Sequence, residues 1–172
     1  MNATEYQRRA LRTVNPTQSH RDNLANFALG LVGESIEFLD AHTRQERLKE
    51  SGDICWYMAA ICHTTNTPFA PLWDNPHDPV CFGHLAFGLR IVKPAGFVAE
   101  SLKKHLYHGH AIPDLQIPLR TLAHLLHWQA IDDGSTIAEV MAMNVAKLEA
   151  RYPNGFTVQA SRERTDFGSG PK

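Results

Sequence analysis

Four acids in two evenly spaced pairs set the strongest limit on how this chain folds. Glu34 and Glu37 stand three apart in FALGLVGESIEFLDA, and Glu50 and Asp53 stand three apart in ERLKESGDICWYMAAI. On a helix each pair projects from one face. The apolar residues around them recur at helical intervals. They are Leu24, Phe27, Ala28, Leu31, Ile36 and Leu39 over 23–42, then Leu48, Ile54, Cys55, Met58, Ala59 and Cys62 over 44–65. These spacings predict two long helices joined by a short turn. Packed antiparallel, the two bring all four carboxylates together. Such charges repel unless a cation sits between them. Clustered oxygen ligands suit a hard ion, Mg²⁺ or Mn²⁺. A magnesium site of this kind points to a phosphorylated substrate.

The remaining chain reads as further helices. Residues 3–13 predict a short polar helix, and VNPTQSHRD a loop. Residues 24–66 form the expected metal-binding helix pair. A connection over 67–80 carries Pro68, Pro71, Pro76 and Pro79 and is expected to be irregular. Residues 81–131 predict helices over 81–92 and 95–108, separated by a break or kink at Pro94, and a third over 114–131. The last helix, 136–151 within the segment 135–156, is expected to be capped by Ser135 or Thr136 with Glu139 in its first turn. Pro153, Asn154 and Gly155 stop it. No stretch alternates long enough to predict a strand. The fold class is therefore all-α, an antiparallel helical bundle, in a single domain over 1–160 with a polar tail over 161–172.

Composition narrows the function. A chain of 172 residues that is 43% hydrophobic builds one domain with a sizeable core. A net charge of -1 argues against nucleic acid or an anionic membrane as partner. No apolar run reaches the roughly 18 residues that a membrane span needs, and MNATEYQRRALRT lacks the apolar stretch of a signal peptide. Cys55, Cys62 and Cys81 are odd in number and outside metal-type spacing. They read as reduced, buried thiols of a cytoplasmic protein.

ALGLVGESIE (28–37), ESGDICWYMAA (50–60) and NVAKLEARYPNGF (144–156) together resemble the MazG-like nucleotide pyrophosphohydrolases of the all-α NTP pyrophosphatase superfamily. That family carries E-x-x-E, then E-x-x-D in a G-D-x-x-W-Y setting, then N-x-x-K-L-x-x-R-Y-P-x-G-F, and all three occur here in order. The resemblance covers about half the chain, mainly 24–62 and 140–165. It implies hydrolysis of a nucleoside triphosphate to monophosphate and pyrophosphate, a reaction suited to nucleotide-pool house-cleaning. Glu34, Glu37, Glu50 and Asp53 would hold Mg²⁺, with Mn²⁺ as substitute, and Glu34 or Glu37 would act as the base. Asn144, Lys147, Arg151 and Tyr152 are implied at the substrate, and Tyr57, one turn after Asp53, is placed to contact the base. A homodimer is also implied.

The chain departs from the family in two places. Ile36 stands where Gly or Ala is common. The basic K-K-x-L-x-H-G-H segment, which usually follows the first acidic helix, lies downstream as Lys103, Lys104 and the residues to His110. VGESIEFL (32–39) aligns with AGFVAESL (95–102), pairing Gly33 with Gly96, Glu37 with Glu100 and Leu39 with Leu102. The alignment suggests a degenerate internal repeat, in which one half keeps the metal ligands and the other the cationic Lys103 and Lys104. One chain would then imitate a dimer.

Each motif also has a plainer reading. A single acid pair is ordinarily a solvated face; two pairs beside Gly33 favour a metal. Lys103 and Lys104 also suit an exposed helix end. His105 with His108, and His124 with His127, lack a third ligand and read as packed or surface groups. Trp56 and Trp128 read as core or interface, and Trp73 as a loop anchor. Tyr152 to Phe156 reads equally as a helix stop. The rival functions are a non-catalytic association module and a metal-dependent phosphohydrolase acting on another nucleotide, such as an alarmone.

Overall fold

Seven α-helices carry the described residues, with no strand among them: α1 (Ala3–Ala10), α2 (His20–Asp40), α3 (Arg44–Thr64), α4 (His84–His108), α5 (Gln116–Asp132), α6 (Ile137–Arg151) and α7 (Val158–Glu163). They come from a computed structural model that describes residues 1–76 and 84–163. Single 3₁₀ turns occupy Leu11–Thr13 and Ala70–Trp73. Pro79, Cys81, the first residues of the helix expected from 81 and the tail over 164–172 lie outside the described residues. No helix among the described residues is long and apolar enough to cross a membrane.

Helix starts follow local chemistry. Ser19 caps α2 by accepting from the Asp22 amide at 3.1 Å. Thr43 caps α3 in a reciprocal box with Glu46, whose carboxylate accepts the Thr43 and His42 amides at 2.9 and 3.0 Å. Those bonds, the Thr43 amide first, hold the Glu46 carboxyl below its ordinary range. Thr136 and Glu139 form the same box on α6, so of the two expected caps the threonine serves.

Packing places α2 between α3 and α4, with α5 on α4, α6 on α3, and α1 across α3 and α6. The main core joins them and includes Leu24, Phe27 and Leu31 of α2 with Ile54, Met58 and Ile61 of α3; Leu48, Ala130 and Val140 form a second, small cluster. Three expectations change. The helices expected on either side of Pro94 are one continuous α4. Proline denies the Arg90 carbonyl its intrahelical donor, but Ile91, Ala95 and Val98 are all fully buried. Core contacts on both sides of the proline hold the helix through it. Ile36 shares the helical period of α2 yet is 41% exposed, so it lies on the outer face. The polar stretch after Thr157 begins with the short helix α7 rather than coil.

A charged clamp fixes the far end of α3. Asp133 is nearly buried and receives the Arg47 guanidinium in a fork, with Nε 3.1 Å from both carboxylate oxygens. Gln129 adds a donor at 2.7 Å. Arg44 donates to the Asp133 carbonyl and, at 3.0 Å, to that of Gly134. Gly134 sits at φ +63°, a left-handed position that suits glycine. The clamp ties the first turns of α3 to the α5–α6 turn. Arg47→Ala leaves the Asp133 carboxylate buried and unpaired, and is expected to cost about 3 kcal/mol in denaturant melts. A loss under about 0.5 kcal/mol would place this pair with ordinary surface bridges.

Candidate metal centre

Helical periodicity on α2 and α3 turns Glu34, Glu50 and Asp53 toward one another, each offering a carboxylate oxygen within 4.8 Å of the others. Glu50 is only 6% exposed, and the other two are half-buried. Glu37 lies one turn beyond Glu34, is exposed and stays outside the three-acid cluster. The four-carboxylate cluster expected from spacing is thus three acids with a fourth at its margin.

Two lysines moderate the charge. Lys49 Nζ lies 2.7 Å from Glu50 Oε1, and Lys147 Nζ pairs with Asp53 Oδ1. Burial is the first cause that pushes the Glu34 carboxyl up to about 8, followed by the charges of Asp53, Glu37 and Glu50. Glu50 Oε2 is buried with no donor group against it. Two ionised carboxylates cannot hydrogen-bond each other. A proton on Glu34 relieves the crowding with its neighbouring carboxylates, and a cation could take its place. Three oxygen donors and an orphaned buried oxygen fit a hard divalent ion better than a transition metal.

Asn144 and Lys147, expected at the substrate, both meet Asp53. Asn144 Nδ2 donates to Asp53 Oδ1 at 2.9 Å, the same oxygen that receives Lys147. Gly52 makes this possible, because a Cβ there would lie 2.9 Å from the Asn144 Cβ. Behind Asn144 stands Tyr6, fully buried on α1, whose hydroxyl donates to Asn144 Oδ1 at 2.9 Å and lies 3.3 Å from the Gly52 carbonyl. Burial, then the charges of Cys55 and Asp53, hold its phenol protonated well above its usual range.

The other expected residues make the following contacts. The Tyr57 ring lies against Gly30, where a Cβ would come within 2.2 Å of it, and meets Trp56 edge-on at 4.8 Å. Tyr152 is 7% exposed and stacks on Phe156 at 5.7 Å, so its ring belongs to the core; the Arg151 guanidinium lies 5.9 Å from it. Lys103 and Lys104 are half-exposed and pair with Glu100 of their own helix at 2.6 and 3.5 Å. His105 Nδ1 lies 2.8 Å from the His110 carbonyl, and His127 packs edge-on with Trp128. Trp73 anchors its turn on Phe69 at 5.7 Å, as expected of a loop anchor. Cys55 and Cys62 are buried free thiols, with burial pushing Cys62 up to about 12 and Cys55 upward as well. They suit packing rather than chemistry.

Sequence reasoning passed over Tyr6 and Lys49. Tyr6, Ala10 and Thr13 recur at helical intervals and are all buried, a stripe that was legible in a helix read only as polar. Lys49 was visible as the neighbour of Glu50.

No family model, curated protein or solved structure matches this chain.

The raised Glu34 carboxyl has a consequence for stability. Its folded value of about 8 lies above the ordinary 4.5, so between these the folded state holds the extra proton. The stability tied to that proton is complete below 4.5 and is lost as the pH rises toward about 8. Melting temperatures of metal-free protein should therefore fall across this interval, and Glu34→Gln should flatten the fall. Added Mn²⁺ should raise the melting temperature most at the upper end. A wild-type profile that matches Glu34→Gln at every pH would show that these carboxyls do not couple.

Proposed function

We propose that the chain is a Mg²⁺-dependent nucleoside triphosphate pyrophosphohydrolase of the cytoplasm, with a bundle of the all-α NTP pyrophosphatase type. The observation that carries this reading is the meeting of Glu34, Glu50 and Asp53, with a buried Glu50 oxygen left without a donor. The order of the three motifs along the chain supplies the substrate class.

Glu34, Glu50 and Asp53 hold the ion, with Mn²⁺ an acceptable substitute. Bound there, the ion would offset phosphate charge and acidify a water. Glu37 is the acid left outside the cluster, exposed and near enough for its charge to raise Glu34. It is accordingly assigned as the group that accepts the proton from water. Asn144 keeps Asp53 oriented. Lys147, already on Asp53, is assigned to the polyphosphate, and Arg151 lies one turn further along α6. Tyr57 borders the site from α3.

Two further expectations belong to this reading. The pairs α2–α3 and α4–α5 meet along α2 and α4, an arrangement that supports an internal duplication. Gly33 and Gly96, its aligned glycines, both open on free space. On α2, Leu29 and Ile36 are 74% and 41% exposed on the same face as Gly33, which supports a homodimer.

A second reading has its own observation. Lys49 and Lys147 occupy Glu50 and Asp53, as lysines do in an ion-pair network that only braces a bundle. The two readings part on one assay. Pyrophosphate release from canonical and modified (d)NTPs with Mg²⁺ is expected for wild type, and Glu50→Gln should lower it by more than about 100-fold. That variant should melt no lower than wild type without metal, because it removes a crowded charge. Release of orthophosphate instead would favour another phosphohydrolase. No release from folded protein would favour the bracing network.

A further inference from the structure

We propose that Tyr6 is a positioning residue for the metal centre, acting on the Asp53 carboxylate through Asn144. The inference rests on the metal reading above and adds a residue from outside the three motifs.

An asparagine amide has two ends of nearly the same shape, a carbonyl and an NH₂, and its partners decide which points where. An ionised Asp53 only accepts, so it needs the NH₂ end, found at 2.9 Å. At the other end the Tyr6 hydroxyl supplies a donor, which only the carbonyl end can use, also at 2.9 Å. The same hydroxyl has a second, longer acceptor in the Gly52 carbonyl at 3.3 Å. Asp53 selects the amide orientation, and Tyr6 holds it by donating to the carbonyl end that this orientation presents.

The arrangement is rigid. Asn144 is 4% exposed and Tyr6 fully buried, with the Tyr6 ring stacked on Phe69 at 6.1 Å. Without the hydroxyl, Asn144 Oδ1 would be buried without this donor, and the amide would lose the contact that holds it against Asp53. Partners one step behind a ligating carboxylate set its orientation, and losing one typically weakens metal binding about 10- to 100-fold.

Calorimetric titration of Mn²⁺ into the full chain tests this. Tyr6→Phe keeps the ring and should weaken Mn²⁺ binding roughly tenfold. Asn144→Ala should weaken it at least as much. The double variant should bind no worse than Asn144→Ala alone, because Tyr6 acts through that amide. Thr13→Val is the control. It removes the hydroxyl that receives Trp56 Nε1 at 2.9 Å, so it loosens the end of α1 without touching Asn144. It should lower the melting temperature and leave Mn²⁺ affinity unchanged. Wild-type affinity in Tyr6→Phe, or additive losses in the double variant, would overturn the proposal. So would wild-type affinity in Asn144→Ala, whether or not Tyr6→Phe folds. Wild-type protein that takes up no Mn²⁺ removes the metal reading and this inference together. Wild type that binds, with Tyr6→Phe unchanged, removes Tyr6 alone.

Discussion

Glu34, Glu50 and Asp53 set three carboxylates against one another where α2 meets α3, and the surrounding elements make that contact tolerable. Each carboxylate has a different remedy. Glu50 has Lys49, Asp53 has Lys147 and Asn144, and Glu34 holds a proton through its raised affinity. None of the three remedies fills Glu50 Oε2. Packing follows from these needs. Helix α6 lies on α3 closely enough that Gly52 has no room for a side chain beside Asn144, and α1 lies over both to bring Tyr6 behind that amide. The clamp of Arg44 and Arg47 on the α5–α6 turn fixes where α6 begins, and so where Asn144 and Lys147 fall along α3.

Much of the fold was legible because helices declare themselves locally. The period of three and four gave α2, α3, α5 and α6 nearly to their ends, and the cap boxes at Thr43 and Thr136 are written within four residues each. Pro94 misled because its cost is local while the burial that outweighs it is tertiary. Ile91 and Ala95 reach the core through neighbours far away in the chain. Ile36 shows the converse: it keeps the helical period of α2 on a face that is exposed among the described residues.

The site divides in the same way. Spacing on α2 and α3 was enough to bring Glu34, Glu50 and Asp53 together, because a three-residue step fixes direction on a helix. The same step did not take Glu37 into the cluster, since where a helix face meets its neighbour depends on the rotation of α2 against α3. Asn144 and Lys147 both touch Asp53, pairings 91 and 94 residues apart that no local pattern encodes. Tyr152 looked polar enough for a ligand, yet its ring completes the core beside Phe156.

The distances in sequence between these partners also order events in time. Tyr6 and Asn144 are 138 residues apart, and Asn144 and Asp53 are 91 apart. Contacts of such separation close large loops, and they form late because the chain must give up the entropy of everything between them. A chain emerging from the ribosome has made Glu34, Glu50 and Asp53 long before α6 exists to supply Lys147 and Asn144. During that interval the acidic faces of α2 and α3 have only Lys49 and solvent for company. The arrival of α6 is thus the event that allows the first half of the chain to close on its own charges.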